Sequence, residues 1–263
     1  MIFITGDIHG DPTRFSTKVF PEQKEMTRDD FVVICGDFGL IWDQKESKRE
    51  KYWLDWLEDK PYTTLFVDGN HENFARLNVY PVEEWHGGKV HKIREHVIHL
   101  MRGEVFDISN KKIFTFGGAR SHDINGLATK EELDKDYTAG ILNCHDPQFD
   151  EKYKKLFRCG LFTRIEGESW WADEMPTKDE MKHGLHNLEK HGLNVDFIVS
   201  HDGPASDLIL LGGRLLKIDP LNQYLEDVRQ KTTYRKWFFG HHHMNHQINE
   251  KDIVLYEQII RIA

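Results

Sequence analysis

The sequence predicts an α/β fold, on two observations. Apolar runs of strand length alternate with helix-start signals through the first half. The pattern then becomes sheet-rich, with three short strand-like runs between Val97 and Phe116. A third observation sets the scale: 263 residues suffice for one substantial core, and the length demands no second domain.

The elements follow in order. Ile2-Phe3-Ile4 reads as the first strand. Asp11-Pro12 is an N-cap followed by proline at the first helical position, which predicts a short helix through Phe20. Phe31-Val32-Val33-Ile34 is the next strand. Asp43 is placed to cap a helix to about Asp59, with Trp53, Leu54, Trp56 and Leu57 on its apolar side. After the Thr64-Leu65-Phe66-Val67 strand the period changes. Val97-Ile98-His99-Leu100, Glu104-Val105-Phe106 and Ile113-Phe114-Thr115-Phe116 are short strands, the last two joined by a Ser109-Asn110-Lys111 turn.

Gly117-Gly118 ends that meander. Residues 119–176 have mixed character, with charge-rich helical pieces such as Lys130-Glu131-Glu132-Leu133 and the Trp170-Trp171 pair. The stretch is too long for a plain loop and reads as a cap-like insertion over the main body of one domain, 1–263. Order returns at Thr177-Lys178-Asp179-Glu180, a capping box opening a helix with Met181, Leu185 and Leu188 on one face. Gly192 sits where a left-handed C-terminal residue belongs, and Asp219-Pro220 starts another helix.

Bulk properties exclude several classes. Charged residues at 30% and hydrophobics at 39% are ordinary, and no apolar run approaches the ~20 residues of a bilayer span, so no membrane partner is expected. Met1 leads straight into a strand, with no basic n-region or small-residue cleavage site. Cys35, Cys144 and Cys159 show no CxxC spacing. Both fit a reducing cytoplasm without a disulfide framework. A net charge of −9 argues against long double-stranded nucleic acid as a partner.

Five segments carry the chemistry: Gly6-Asp7-Ile8-His9-Gly10, Gly36-Asp37, Gly69-Asn70-His71-Glu72, Ser200-His201 and Gly240-His241-His242-His243. Each follows a strand-like run, the last two being Phe197-Ile198-Val199 and Trp237-Phe238-Phe239. Carboxylate, amide and imidazole donors delivered at the ends of neighbouring strands are what a pair of divalent cations requires. Asp7 and His9, two apart, aim into one pocket, and alternation puts His241 and His243 on one side with His242 facing elsewhere.

These blocks, in this order from Asp7 to His243, resemble the calcineurin-like metallophosphoesterase family, whose pattern is Asp-x-His, Gly-Asp, Gly-Asn-His-(Asp/Glu), a lone His and Gly-His-x-His. The resemblance implies a layered sandwich of two mixed sheets flanked by helices. It implies a dinuclear metal centre hydrolysing phosphate esters through a metal-bridging hydroxide. Asp7, His9, Asp37 and His243 would hold one ion, and Asp37, Asn70, His201 and His241 the other, with Asp37 bridging. His71 would protonate the leaving oxygen. Mn²⁺ is favoured by the oxygen donors, with Fe²⁺ or Zn²⁺ as alternatives.

The second block, Gly36-Asp37-Phe38-Gly39-Leu40-Ile41-Trp42, lacks the Asp and Arg that protein phosphatases carry there. A phosphodiesterase or nuclease acting on a small or single-stranded nucleotide substrate is therefore the alternative. A non-catalytic metal-binding scaffold is the rival outside the class. Arg120, Ser121, His122 and Asp123 either reach the substrate, Arg120 and His122 foremost, or are ordinary loop polarity. Glu72 either orients His71 or is solvated, and Trp170 and Trp171 either stack on a nucleobase or pack. His86, His91, His96, His99, His183, His186 and His191 read as surface or packing residues.

Overall fold

A computed structural model describes residues 1–124, 126–212 and 217–263. The first half runs β1 (Ile2–Thr5), β2 (Phe31–Ile34), α1 (Lys48–Glu58), β3 (Thr63–Phe66), α2 (Phe74–Leu77), β4 (Val82–Trp85), β5 (Gly88–Arg94) and β6 (Val97–Leu100). The hairpin β7 (Glu104–Ile108) and β8 (Lys111–Phe116) follows. After it come α3 (Lys130–Lys135), α4 (Phe149–Arg158), α5 (Lys178–Lys190), β9 (Phe197–Ser200), α6 (Ala205–Gly212) and α7 (Pro220–Lys231). The chain ends with β10 (Lys236–Phe239), β11 (His246–Gln247), β12 (Asp252–Val254) and β13 (Ile260–Arg261).

These strands form the two mixed sheets expected. One has the order β13-β1-β2-β3-β6-β5-β4 and the other β11-β12-β10-β9-β8-β7. Strict alternation along the strands builds three layers of core. Ile2, Ile4, Val33 and Leu65 face Phe106, Ile113, Val199 and Phe238 between the sheets. Phe3, Val32, Ile34 and Phe66 pack outward on Leu54 and Leu57 of α1. Phe114, Phe116, Ile198, Trp237 and Phe239 pack on Leu188, Leu208, Leu221 and Val228 of α5, α6 and α7.

Register places the site. β1, β2 and β3 are parallel with Thr5, Ile34 and Phe66 level, and β8, β9 and β10 are parallel in the other sheet. Parallel strands end at one edge, so the loops after β1, β2, β3, β9 and β10 converge there, where ligands of such sheets bind.

Several local expectations change. Asp11 does cap with Pro12 behind it, but the turn is a 3₁₀ helix ending at Phe15, and a second begins at Pro21. Asp43 caps nothing; Ser47 and Glu50 form the capping box of α1. Glu50 is claimed twice over, because its Oε1 also accepts from the backbone N–H groups of Trp42 and Asp43. The capping box at Thr177 is present, Asp219 caps α7 with Pro220 behind it and also forms a capping box with Asn222, and Gly192 takes a φ of +69°. The hairpin turn is narrower than expected: Ser109 and Asn110 alone make it, both with positive φ, as a two-residue turn demands. The sequence pattern gave no sign of β4, β5, β11, β13 or α6.

Candidate metal centre

Seven side chains converge at the common strand edge. Asp7, His9, Asp37 and His243 bring one ligand atom each within 4.8 Å of one another, and Asp37, His201 and His241 form a second such group. Asp37 belongs to both. Its Oδ2 lies 3.1 Å from His9 Nε2 and its Oδ1 3.2 Å from His201 Nε2. Asn70 Oδ1 lies 3.3 Å from His201 Nε2, and His243 Nε2 lies 3.4 Å from Asp7 Oδ2.

The backbone is bent to make this possible. His9, Asp37, His241 and His243 all have φ between +44° and +63°, a left-handed conformation that costs a non-glycine residue energy and clusters at functional sites. The glycines beside them leave room for the donors. A Cβ on Gly240 would lie 2.0 Å from Asp7 Oδ1, one on Gly69 2.1 Å from Asp37 Oδ1, and one on Gly36 2.2 Å from His201 Nδ1. The motif glycines are therefore packing requirements of the ligand side chains.

Hydrogen bonds orient the donors. His201 Nδ1 donates to the Cys35 carbonyl at 2.8 Å, which leaves Nε2 as the donor atom facing Asp37. The His241 N–H donates to both oxygens of Asp7, and the His71 N–H to Asp37 Oδ1. Asn70 Nδ2 donates to Ser121 Oγ, which itself donates to Glu174, so the amide oxygen of Asn70 is the end left facing His201.

The charges are unbalanced. Burial would push the Asp37 carboxyl up, but the neighbouring His201 holds it well below the usual range. Burial likewise opposes a charge on His201, and Asp37 overrides it, raising the imidazole to about 10. Burial pushes His241 well down, into the neutral form that ligates metals. Among the described residues, no lysine or arginine forms an ion pair with Asp7 or Asp37. With no such partner for these two buried carboxylates, divalent ions would replace the His201 proton as their counter-charge.

His71 stands at the rim, its ring stacked on Trp42 with centroids 5.5 Å apart and its face edge-on to His9. Burial lowers its pKa, and the Arg164 guanidinium acts in the same direction. Arg164 is the functional candidate the sequence did not reveal. Its Nη2 lies 3.3 Å from His71 Nε2, and a forked ion pair to Asp123 fixes it. Nothing around Phe162-Thr163-Arg164 resembles a motif, so no local signal marks it.

Glu72 answers to neither expectation. It is fully buried, and its carboxylate accepts from the Phe38 and Gly39 N–H groups, tying down the loop that carries Asp37. Trp170 and Trp171 are buried too, Trp171 edge-on to Trp42, so neither is free to stack on a base. Arg120 lies over the Tyr137 ring at 4.4 Å, and His122 lies against His241 with ring centroids 5.0 Å apart. His242 turns away, as alternation requires, and bonds Asp202.

The family model for calcineurin-like phosphoesterases matches residues 1–245, and the chain belongs to that family. No curated protein matches it.

Proposed function

We propose that this calcineurin-like phosphoesterase hydrolyses phosphate esters with two divalent ions. Asp7, His9, Asp37 and His243 hold one, and Asp37, Asn70, His201 and His241 the other. The observation that carries the reading is Asp37, a single buried carboxylate whose two oxygens face two different imidazole groups. Only a two-oxygen donor shared in this way joins the groups into one centre. Carboxylate and amide oxygens weight the choice toward Mn²⁺, with Fe²⁺ or Zn²⁺ also suited. When bound, the ions supply an activated water and polarise the phosphoryl oxygens.

The chain's own residues do the rest. His71 Nε2, which accepts from Arg164 Nη2, is the atom that would hold the proton for the leaving oxygen once substrate takes that contact, and Trp42 fixes the plane of its ring. Arg164 Nη2 and His71 Nε2 lie close enough that one substrate oxygen between them accepts from both. Asp123 keeps the guanidinium there without neutralising the metal ligands.

The test compares leaving groups. The Mn²⁺-loaded protein should hydrolyse both an alkyl phosphate and p-nitrophenyl phosphate, and a chelator should stop both. His71→Ala should keep two ions and slow the alkyl ester by about 10²–10⁴-fold, because an alkoxide needs a proton to leave. It should slow the p-nitrophenyl ester far less. No turnover of either ester with two ions bound would make the cluster a non-catalytic scaffold. Equal slowing of both would make His71 a phosphate-positioning residue.

A further inference from the structure

Beyond the space directly over its ligands, the metal cluster borders three others. In one, of about 710 Å³ beside Asp7, His9 and His243, the Tyr256 ring is stacked on His243 and Arg14 is spent on backbone carbonyls. Two are left with side chains open to a substrate, and a monoester has use for only one of those two. The space directly over the ligands, about 280 Å³, is bounded by His9 and His71 on one hand and by His122, His241 and His243 on the other. Through His9 and His71 it meets a cleft of about 310 Å³ that also contains Trp42 and Arg49. Through His122, His241 and His243 it meets a larger cavity of about 550 Å³. The first is the side of the proposed proton donor, so the leaving group belongs there. The second is free for a substituent that stays on phosphorus.

The larger cavity has a specific chemistry. Ile124, Leu133, Leu208 and Leu211 give it apolar walls. Tyr137 presents its ring there with the Arg120 guanidinium 4.4 Å from the ring centroid, a paired surface suited to a flat aromatic group. Arg120 forms no ion pair among the described residues, so its charge is available to an anionic ligand. Lys217 and Asp219 add polar groups to the lining, which an acyl chain would desolvate without replacing their hydrogen bonds. The volume lies within the ~300–1,000 Å³ of small-molecule sites.

Resting on the phosphoesterase reading above, we propose that the substrate is a phosphodiester whose retained substituent is a nucleoside, its base seated in the 550 Å³ cavity against Tyr137. Hydrolysis adds water to phosphorus and breaks the bond to the leaving oxygen on the His71 side. The water's oxygen stays on phosphorus, a proton goes to the leaving oxygen, and a nucleoside monophosphate and an alcohol result.

The experiment uses the full Mn²⁺-loaded chain and three p-nitrophenyl esters: the phosphate monoester, the diester of thymidine 5′-phosphate, and the diester of a long-chain alkyl phosphate. The thymidine diester should have the highest kcat/KM. Tyr137→Ala should raise its KM about tenfold, the scale of one lost base stack, and Tyr137→Phe should restore it. The same pair of variants should weaken and restore binding of thymidine 5′-monophosphate in calorimetry. A higher kcat/KM for the monoester or the alkyl diester overturns the proposal and leaves the phosphoesterase reading standing. So does an equal loss on the monoester and the thymidine diester in Tyr137→Ala. Inactivity on all three esters with both ions bound overturns the reading and the proposal together.

Discussion

Asp68 and Asn70 leave the same strand and enter two different buried clusters of carboxylate and imidazole. Asn70 joins the proposed metal ligands, its Oδ1 3.3 Å from His201 Nε2. Asp68 accepts from His99 Nε2 at 3.1 Å, and His99 Nδ1 lies 3.1 Å from His91 Nδ1. By residue type the two clusters look alike. What separates them is Arg102, buried beside Asp68 and bonded to its Oδ2 through Nε at 2.8 Å. Burial would raise the Asp68 carboxyl, but that guanidinium holds it far below the usual range. The Asp68 cluster carries its own counter-charge and adjoins a cavity of only about 80 Å³. Among the described residues the Asp37 cluster has no paired lysine or arginine, only titratable imidazoles such as His201, and it faces an open space of about 280 Å³. A candidate metal site is thus marked by the permanent cation it lacks more than by its histidines.

The largest effect should come from removing the shared carboxylate. Asp37→Asn is expected to weaken both ions by more than about 10²-fold, the most that loss of a group merely orienting a ligand usually costs. Activity should fall with them. Elemental analysis of the dialysed protein reads the stoichiometry, which should drop from two. One tightly held ion, unaffected by Asp37→Asn, would break the idea of a joined centre.

The opposite cluster should answer in stability alone. Arg102→Met leaves Asp68 buried without its partner, a change worth about 3–5 kcal/mol in comparable buried pairs. Urea denaturation should show that loss while the native protein still binds two ions. If Arg102→Met instead emptied the metal site at full stability, the two clusters would be one functional unit, and the contrast drawn from their charges would fail.

How far the sequence displayed this contrast depends on what sets each feature. The convergence of the proposed ligands was legible because each carboxylate, amide or imidazole directly follows an apolar run, and that is a local pattern. The two sheets were expected from the family resemblance and not from a local pattern, because the uniformly apolar Ile2-Phe3-Ile4 marks a strand buried on both faces without saying which sheet it joins. Asp68–Arg102 and Arg164–His71 were not legible. Each joins residues far apart in sequence, 34 for the first pair and 93 for the second, through side chains that carry no periodicity. Glu72 was misread for a related reason. Nothing local tells a carboxylate that its acceptors will be spent on the N–H groups of Phe38 and Gly39. The strands β4 and β5 were missed because β4 is mostly exposed and its polar residues mask the strand period.

A third buried carboxylate sharpens the comparison, because it has neither an arginine nor a metal. Glu174 accepts from the Ser121 N–H at 2.9 Å and from Ser121 Oγ at 2.6 Å, and it is fully buried. Burial wins over those bonds and raises its pKa from 4.5 to about 7. The sign follows from linkage. Below pH 4.5 the group is protonated folded or unfolded, and it costs nothing. Between 4.5 and about 7 the unfolded chain releases the proton while the folded chain keeps it, so stability falls as pH rises through that window. At about 1.4 kcal/mol per pKa unit the full fall is on the order of 3 kcal/mol. Glu174→Gln keeps an acceptor for Ser121 but does not titrate, so it should flatten the decline. Urea midpoints taken across the window in chelator, where ions do not contribute, read the difference. An undiminished slope in Glu174→Gln would show that another group takes up the proton. Burial without a counter-charge would then not be what sets Glu174 apart from Asp68.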